Sequence, residues 1–202
     1  MAETVEDPRF ADALAGIWDA YQKAEIERGL TLGRTAVVQM PEHGELWFGL
    51  ACCLERAGDL MAADRAFSRA TRCTVDPQPL PYRVGWPRFQ RAVEEASARL
   101  PKRLRDVLGE VTLILADYAE PELIASHGEP ELLGLFEGVP RGDRLSPPPG
   151  SLSPRIHLFR RAHEHNSSTA QSFAAEVTQT LYHELGHYIG YDEDGLDELG
   201  MG

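Results

Sequence analysis

Cysteine is scarce in this chain. Cys52, Cys53 and Cys73 are odd in number and form no Cys-x-x-Cys pair, so they read as buried reduced thiols rather than a disulfide framework or a redox pair. Basic residues are also in short supply. Lys and Arg total 20 against 32 Asp and Glu, a formal net charge of -12, which argues against a nucleic-acid or anionic-membrane surface. No apolar run reaches the roughly 18 residues of a membrane span. Residues 1–7, Met-Ala-Glu-Thr-Val-Glu-Asp, are acidic and lack an apolar core, so the expectation is no secretory signal and a cytoplasmic protein. What is present is 43% apolar content in 202 residues, enough for one packed domain or two small ones.

Asp7-Pro8 reads as a helix cap with proline in the first turn. Phe10, Leu14, Ile17, Trp18 and Tyr21 then recur at helical spacing. A second helix is expected over residues 30–40, ending at Pro41. In the next segment Trp47, Leu50, Ala51 and Leu54 share one helix face, Gly58-Asp59 makes a turn, Ala63, Phe67 and Ala70 line a returning helix, and Pro77 lies beyond. This spacing resembles a tetratricopeptide repeat; about 34 residues back from Ala70 stands Ala36, and the terminal proline falls at Pro41. Gly29 and Gly33 break the match in the first unit. Residues 8–75 are read as two such hairpins, with a plain four-helix bundle as the other reading. Residues 76–88 carry four prolines and read as a semi-rigid connection.

Beyond it, Phe89, Ala92, Val93, Ala96 and Leu100 form one apolar helical stripe that Pro101 ends. Residues 111–117, Val-Thr-Leu-Ile-Leu-Ala-Asp, are read as a strand buried on both faces. Residues 131–138 read as a second strand, in which Gly134 marks a bulge or a close approach by another backbone. Residues 140–154 are polar and proline-rich, hence an exposed loop. Residues 155–160, Arg-Ile-His-Leu-Phe-Arg, alternate and read as a strand with one solvated face, placed at the sheet edge where its backbone could pair with an extended peptide. His163-Glu164-His165 reads as a solvated loop.

Ser168-Thr169-Ala170-Gln171 fits a capping box with Ser168 at the cap. The helix it opens runs to about Ile189, and Phe173, Ala174, Val177, Leu181 and Leu185 make its core face. His183 and His187 lie on a flanking stripe, one turn apart, where two neutral imidazoles can share a zinc ion. Glu184 stands where it can reach a metal-bound water as general base. Gly190 offers a left-handed helix end, after which the chain can double back and bring Glu193 in as third ligand. Asp192 and Asp194 flank Glu193, and either replaces it if the turn winds differently. Three protein ligands leave one tetrahedral position for water, as in a catalytic zinc site. Glu176 and Thr180 share or adjoin the ligand stripe and are candidates to orient the ligands. Met201 is set aside from the site.

From about Trp86 to Gly202 the order of parts resembles the minimal zincin-type, matrix-metalloproteinase-like zinc metallopeptidases. The resemblance rests on residues 132–138 (Leu-Leu-Gly-Leu-Phe-Glu-Gly), residues 154–160 (Pro-Arg-Ile-His-Leu-Phe-Arg) and residues 183–193 with the Leu196-Asp197-Glu198-Leu199-Gly200 that follows. It implies an α+β fold in which N-terminal all-α helical hairpins, residues 1–80, precede a compact zincin domain, residues 81–202, with a small mixed β-sheet and an active-site helix. It further implies one zinc ion on His183, His187 and Glu193, with Glu184 as base and a peptide or protein as substrate. The N-terminal helices are a candidate surface for a protein partner. The rival reading is an interaction module whose metal site is structural or catalytically idle.

Overall fold

The computed structural model describes residues 8–127, 131–143 and 153–198. Asp7, the proline run at 147–149 and Met201 lie outside the described residues. The chain divides into two compact units, one of Met1–Pro81 with Glu120–Pro130, the other of Tyr82–Ala119 with Glu131–Gly202.

The first unit is helical. α1 (Pro8–Gln22), α2 (Ile26–Gln39), α3 (Gly44–Arg56) and α4 (Leu60–Ala70) pack mainly as sequential neighbours. Ile17, Tyr21, Leu46, Leu50, Ala63 and Phe67 form their shared core. α2 begins four residues earlier than its sequence suggests. Its glycines are there for closeness: a β-carbon at Gly29 would lie 2.7 Å from Cys53 Sγ, and one at Gly33 would lie 3.0 Å from Leu50. Gly58 takes φ +81° in the turn, and Asp59 caps α4 by accepting from the Ala62 N–H at 3.0 Å. The three cysteines are buried and outside any disulfide, and burial pushes the Cys53 thiol up to about 11, which keeps it protonated and inert. A further short helix, α7 (Pro121–His127), belongs to this unit.

The second unit is a small mixed sheet packed with helices. β1 (Thr112–Ala116), β2 (Gly134–Glu137) and β3 (Arg155–Phe159) lie in the order β1-β3-β2. β3 pairs parallel with β1 and antiparallel with β2. β3 is therefore the central strand, not an edge. Its alternation arises because Ile156 and Leu158 are fully buried in the core while His157, on the other face, pairs with Glu137 at 2.7 Å. Among the described residues β1 is an edge strand with one neighbour, and it is exposed at Thr112 and only half-buried elsewhere; its apolar content does not bury it on both faces. Against one sheet face lie α5 (Trp86–Arg99), α6 (Lys102–Leu108) and α9 (Ala170–Ile189), whose Phe89, Val93, Leu104, Phe173, Val177, Leu181 and Leu185 close the core with Ile156 and Leu158.

Residues 160–165, expected as a solvated loop, form α8 (Arg160–His165), with His163 and Glu164 fully buried. Burial is tolerated because every charge finds partners. Glu164 accepts from the Val84 N–H at 2.8 Å, from Arg161 at 2.8 Å and from Arg83 at 3.1 Å. Arg160 in turn donates to Asp117 at 2.8 Å and to the Val84 carbonyl, and lies 5.0 Å over the Trp86 ring. Losing one member of such a set would strand a buried charge, at about 3–5 kcal/mol.

Candidate metal centre

α9 is fixed at both ends. Its cap is Thr169, one residue after the Ser168 that the sequence suggests, and Ser172 completes the reciprocal capping box. At the other end Gly190 adopts φ +100°, and the Tyr191 N–H reaches back to the Gly186 carbonyl at 3.1 Å. Between these ends the apolar stripe is sunk into the core, so the flanking stripe is held in one orientation.

That stripe carries His183 and His187. Their rings meet edge to face with centroids 4.6 Å apart, and their Nε2 atoms are 2.9 Å from each other. The His187 Nδ1 lies 3.1 Å from the Tyr191 carbonyl. A carbonyl only accepts, so Nδ1 holds the proton and the neutral ring presents a bare Nε2 toward His183. Both Nε2 atoms thus converge on one point, within reach of a single ion forming bonds of about 2.0–2.1 Å. The donor chemistry fits zinc: two neutral imidazoles, one of them oriented by a backbone acceptor through its other nitrogen.

Glu184 is buried beside them, only 6% exposed. It faces β2. A β-carbon at Gly134 would lie 3.0 Å from Glu184 Cγ, 3.1 Å from its Oε1 and 2.5 Å from the Thr180 methyl. Gly134 is thus a close-approach glycine, and the element it lets through is α9. Thr180 is buried, whereas Glu176 is half-exposed.

Past Gly190 the chain turns back as α10 (Glu193–Glu198), with Glu193 at its head. Leu196, fully buried, seats against Gly186, where a β-carbon would come within 2.2 Å of its Cδ2. The return after the glycine therefore depends on the small residue inside the histidine motif. Asp192 is exposed and its Oδ1 accepts from the Gly195 N–H at 3.0 Å, a cap for α10; Asp194 is exposed. The side chain of Glu193 lies outside the described part, and among the described residues no three His, Cys, Asp or Glu groups gather as a metal cluster. The structure thus brings His183, His187 and Glu184 together and leaves Glu193 placed by its backbone alone.

Sequence reasoning missed two features near the site. Tyr188, next to His187 and fully buried, donates its hydroxyl to Glu110 at 2.6 Å, and Arg141 grips the same carboxylate at 3.0 and 3.2 Å. His163 bonds to Thr180 from a segment that reads as loop. A Tyr in the position after His187, on the opposite stripe, was the available signal for the first; the second had none.

In comparisons with known proteins, residues 108–202 match the model of a family described as zincin-like metallopeptidase. No curated protein matches the chain. Among the described residues, no helix is long and apolar enough to cross a membrane.

Proposed function

We propose that the chain, whose residues 108–202 match the zincin-like metallopeptidase model, hydrolyses peptide bonds at a single zinc ion held by His183, His187 and Glu193, with Glu184 as general base. The observation that carries this reading is the convergence of the two Nε2 atoms at 2.9 Å beside a buried carboxylate. Zinc bound there supplies a water acidified to a pKa of about 7 and a Lewis acid for the scissile carbonyl. The protein's own groups do the rest. His183 and His187 hold the ion, and the Tyr191 carbonyl fixes which His187 nitrogen faces it. Glu184, walled in by Gly134 and Thr180, takes the proton of the attacking water and returns it to the leaving amine.

The substrate strand is assigned to β2. The Phe159 N–H bonds the Leu133 carbonyl at 2.9 Å, so the odd-numbered residues of β2 turn their backbone groups toward β3, and Gly134 and Phe136 turn theirs outward. An extended peptide adding to that edge lies beside Glu184. The domain boundary near residue 81 and the recruitment of a protein partner by the N-terminal hairpins are parts of the same proposal, as is a cytoplasmic site of action.

The test is a chelator titration of the purified chain, following melting temperature and cleavage of a peptide library together, with Glu184→Gln alongside. Activity that vanishes with a small melting change, and a Glu184→Gln protein that keeps zinc but loses turnover by about 10²-fold or more, support the enzyme. A large melting drop with no cleavage under any condition supports the rival reading, a structural metal in an interaction module.

A further inference from the structure

The helix carrying the two histidines contains two threonines that behave differently. Thr178 follows the usual helical habit, its hydroxyl donating back to the Ala174 carbonyl at 2.7 Å. Thr180 does not. Its Oγ1 lies 3.1 Å from Nε2 of His163. The other nitrogen of that ring, Nδ1, lies 2.7 Å from the Phe159 carbonyl and must carry the proton. Nε2 is therefore the acceptor, and the Thr180 hydroxyl is the donor. The imidazole is fully buried, and burial lowers its pKa to about 4, so it is neutral and able to accept at any ordinary pH. Thr180 has two side-chain branches and two helical rotamers. Fixing the hydroxyl on His163 fixes the methyl against Gly134, where an added β-carbon would lie 2.5 Å away. The same glycine borders the Glu184 carboxylate.

We propose that His163 is a positioning residue of the hydrolytic site, acting through Thr180, whose methyl spaces β2 from α9 and so sets the slot in which the Glu184 carboxylate stands. The inference rests on the peptidase reading above. His163 touches neither ion nor substrate. It selects one threonine rotamer, and that rotamer is a spacer between the strand that receives the peptide and the helix that cuts it. Misplacing reacting groups by about 1 Å can cost on the order of 10²-fold in rate, and a shift of a few tenths of an ångström here corresponds to roughly tenfold.

The experiment uses the full zinc-loaded chain and a fluorogenic peptide drawn from a random library by the wild-type protein. His163→Phe frees the Thr180 hydroxyl to turn back to the Glu176 carbonyl, as Thr178 does with Ala174, and swings the methyl out of the slot. Thr180→Ser keeps the bond and loses the spacer. The double variant His163→Phe with Thr180→Val keeps a methyl in place, has no hydroxyl left to turn it, and strands no buried acceptor. His163→Phe and Thr180→Ser are each expected to lower kcat about tenfold, with KM and zinc affinity, read by competition with a chromophoric chelator, within about twofold of wild type. The double variant recovers the kcat that His163→Phe loses, which separates positioning from folding. A His163→Phe or Thr180→Ser protein with wild-type kcat, or a double variant no faster than His163→Phe, overturns the inference. If the wild-type chain cleaves nothing, the peptidase reading fails on its own, and the spacer is decided by the amide resonances of Gly134 and Glu184. Those move in His163→Phe and return in the double variant if His163 sets the slot, and stay put in both if it does not.

Discussion

Replacing Gly186 with alanine adds a methyl group where Leu196 now sits. The new carbon would lie 2.2 Å from Leu196 Cδ2, with Cγ and Cδ1 already at 3.5 and 3.7 Å. Carbon atoms rest at about 3.5–4.0 Å, so one of them must give way by more than about 1 Å. Leu196 is fully buried and has no solvent side to swing toward, which makes outward movement of α10 the available relief. Overpacking of this kind costs about 1–3 kcal/mol, offset by about 1 kcal/mol from alanine's better helix propensity. The net loss of about 0–2 kcal/mol corresponds to a fall in melting temperature of at most a few degrees for a chain this size. The larger effect falls on the metal. α10 begins at Glu193, so displacing it withdraws the proposed third ligand while both imidazoles stay on their rigid helix. Zinc affinity is expected to fall by about 10–100-fold, the range seen when a ligand's support is lost. The assay is competition against a chromophoric chelator, with far-UV circular dichroism to confirm that α9 is intact. Adding Leu196→Ala makes room for the methyl and should return part of the affinity. Zinc binding by Gly186→Ala as tight as wild type would refute the reasoning, because it would mean that the seating of α10 does not matter to the ion.

Three other outcomes follow from the same geometry. Gly134→Ala drives a β-carbon into Thr180 and toward Glu184; it should lower turnover at least tenfold and cost about 1–3 kcal/mol in urea melts, and unchanged turnover would remove Gly134 from the site. His163 has its pKa lowered by burial from 6.5 to about 4, so the unfolded chain binds the extra proton first: its stabilising contribution is whole above pH 6.5 and is lost as pH falls from there toward 4, by on the order of 3 kcal/mol. Denaturant melts at pH 7.0, 5.5 and 4.5 should show that loss in wild type and less of it in His163→Phe. Asp59→Ala removes the cap on the Ala62 N–H and should cost about 1 kcal/mol, read as a lower melting temperature with peptide cleavage unaltered.

What the sequence disclosed depended on the length of the periodic signal. α9 spans 20 residues, so its core stripe, its histidine stripe and its glycine end were all legible, and Thr180 was picked out beside the ligands. α6, α7, α8 and α10 are six or seven residues long, under two turns, and leave no stripe to count. α8 was misread for a further reason. The burial of His163 and Glu164 depends on Arg83, Val84 and Thr180, which are distant in sequence, and polarity alone points such residues outward. β3 was placed at the edge because its alternation looks half-solvated, yet what covers its polar face includes a partner for His157 from the next strand. Alternation reports which face is apolar and says nothing about how many neighbours a strand has. Glu193 could be assigned only by the resemblance and the turn at Gly190.

The position of the central strand has a consequence for synthesis. In the first unit α2, α3 and α4 each meet the helix just made, so the hairpins can close while the chain is still leaving the ribosome. The sheet cannot. Its middle member comes last, and β1 must wait more than forty residues for Arg155 and its neighbours to arrive. Until then two strands hang without a partner, open to mispairing with other nascent chains. Residues 1–154, made before β3, already carry 24 Asp and Glu against 17 Lys and Arg, a net charge of -7, which keeps such half-made chains apart by mutual repulsion, and α9, emerging after β3, then packs against the completed sheet.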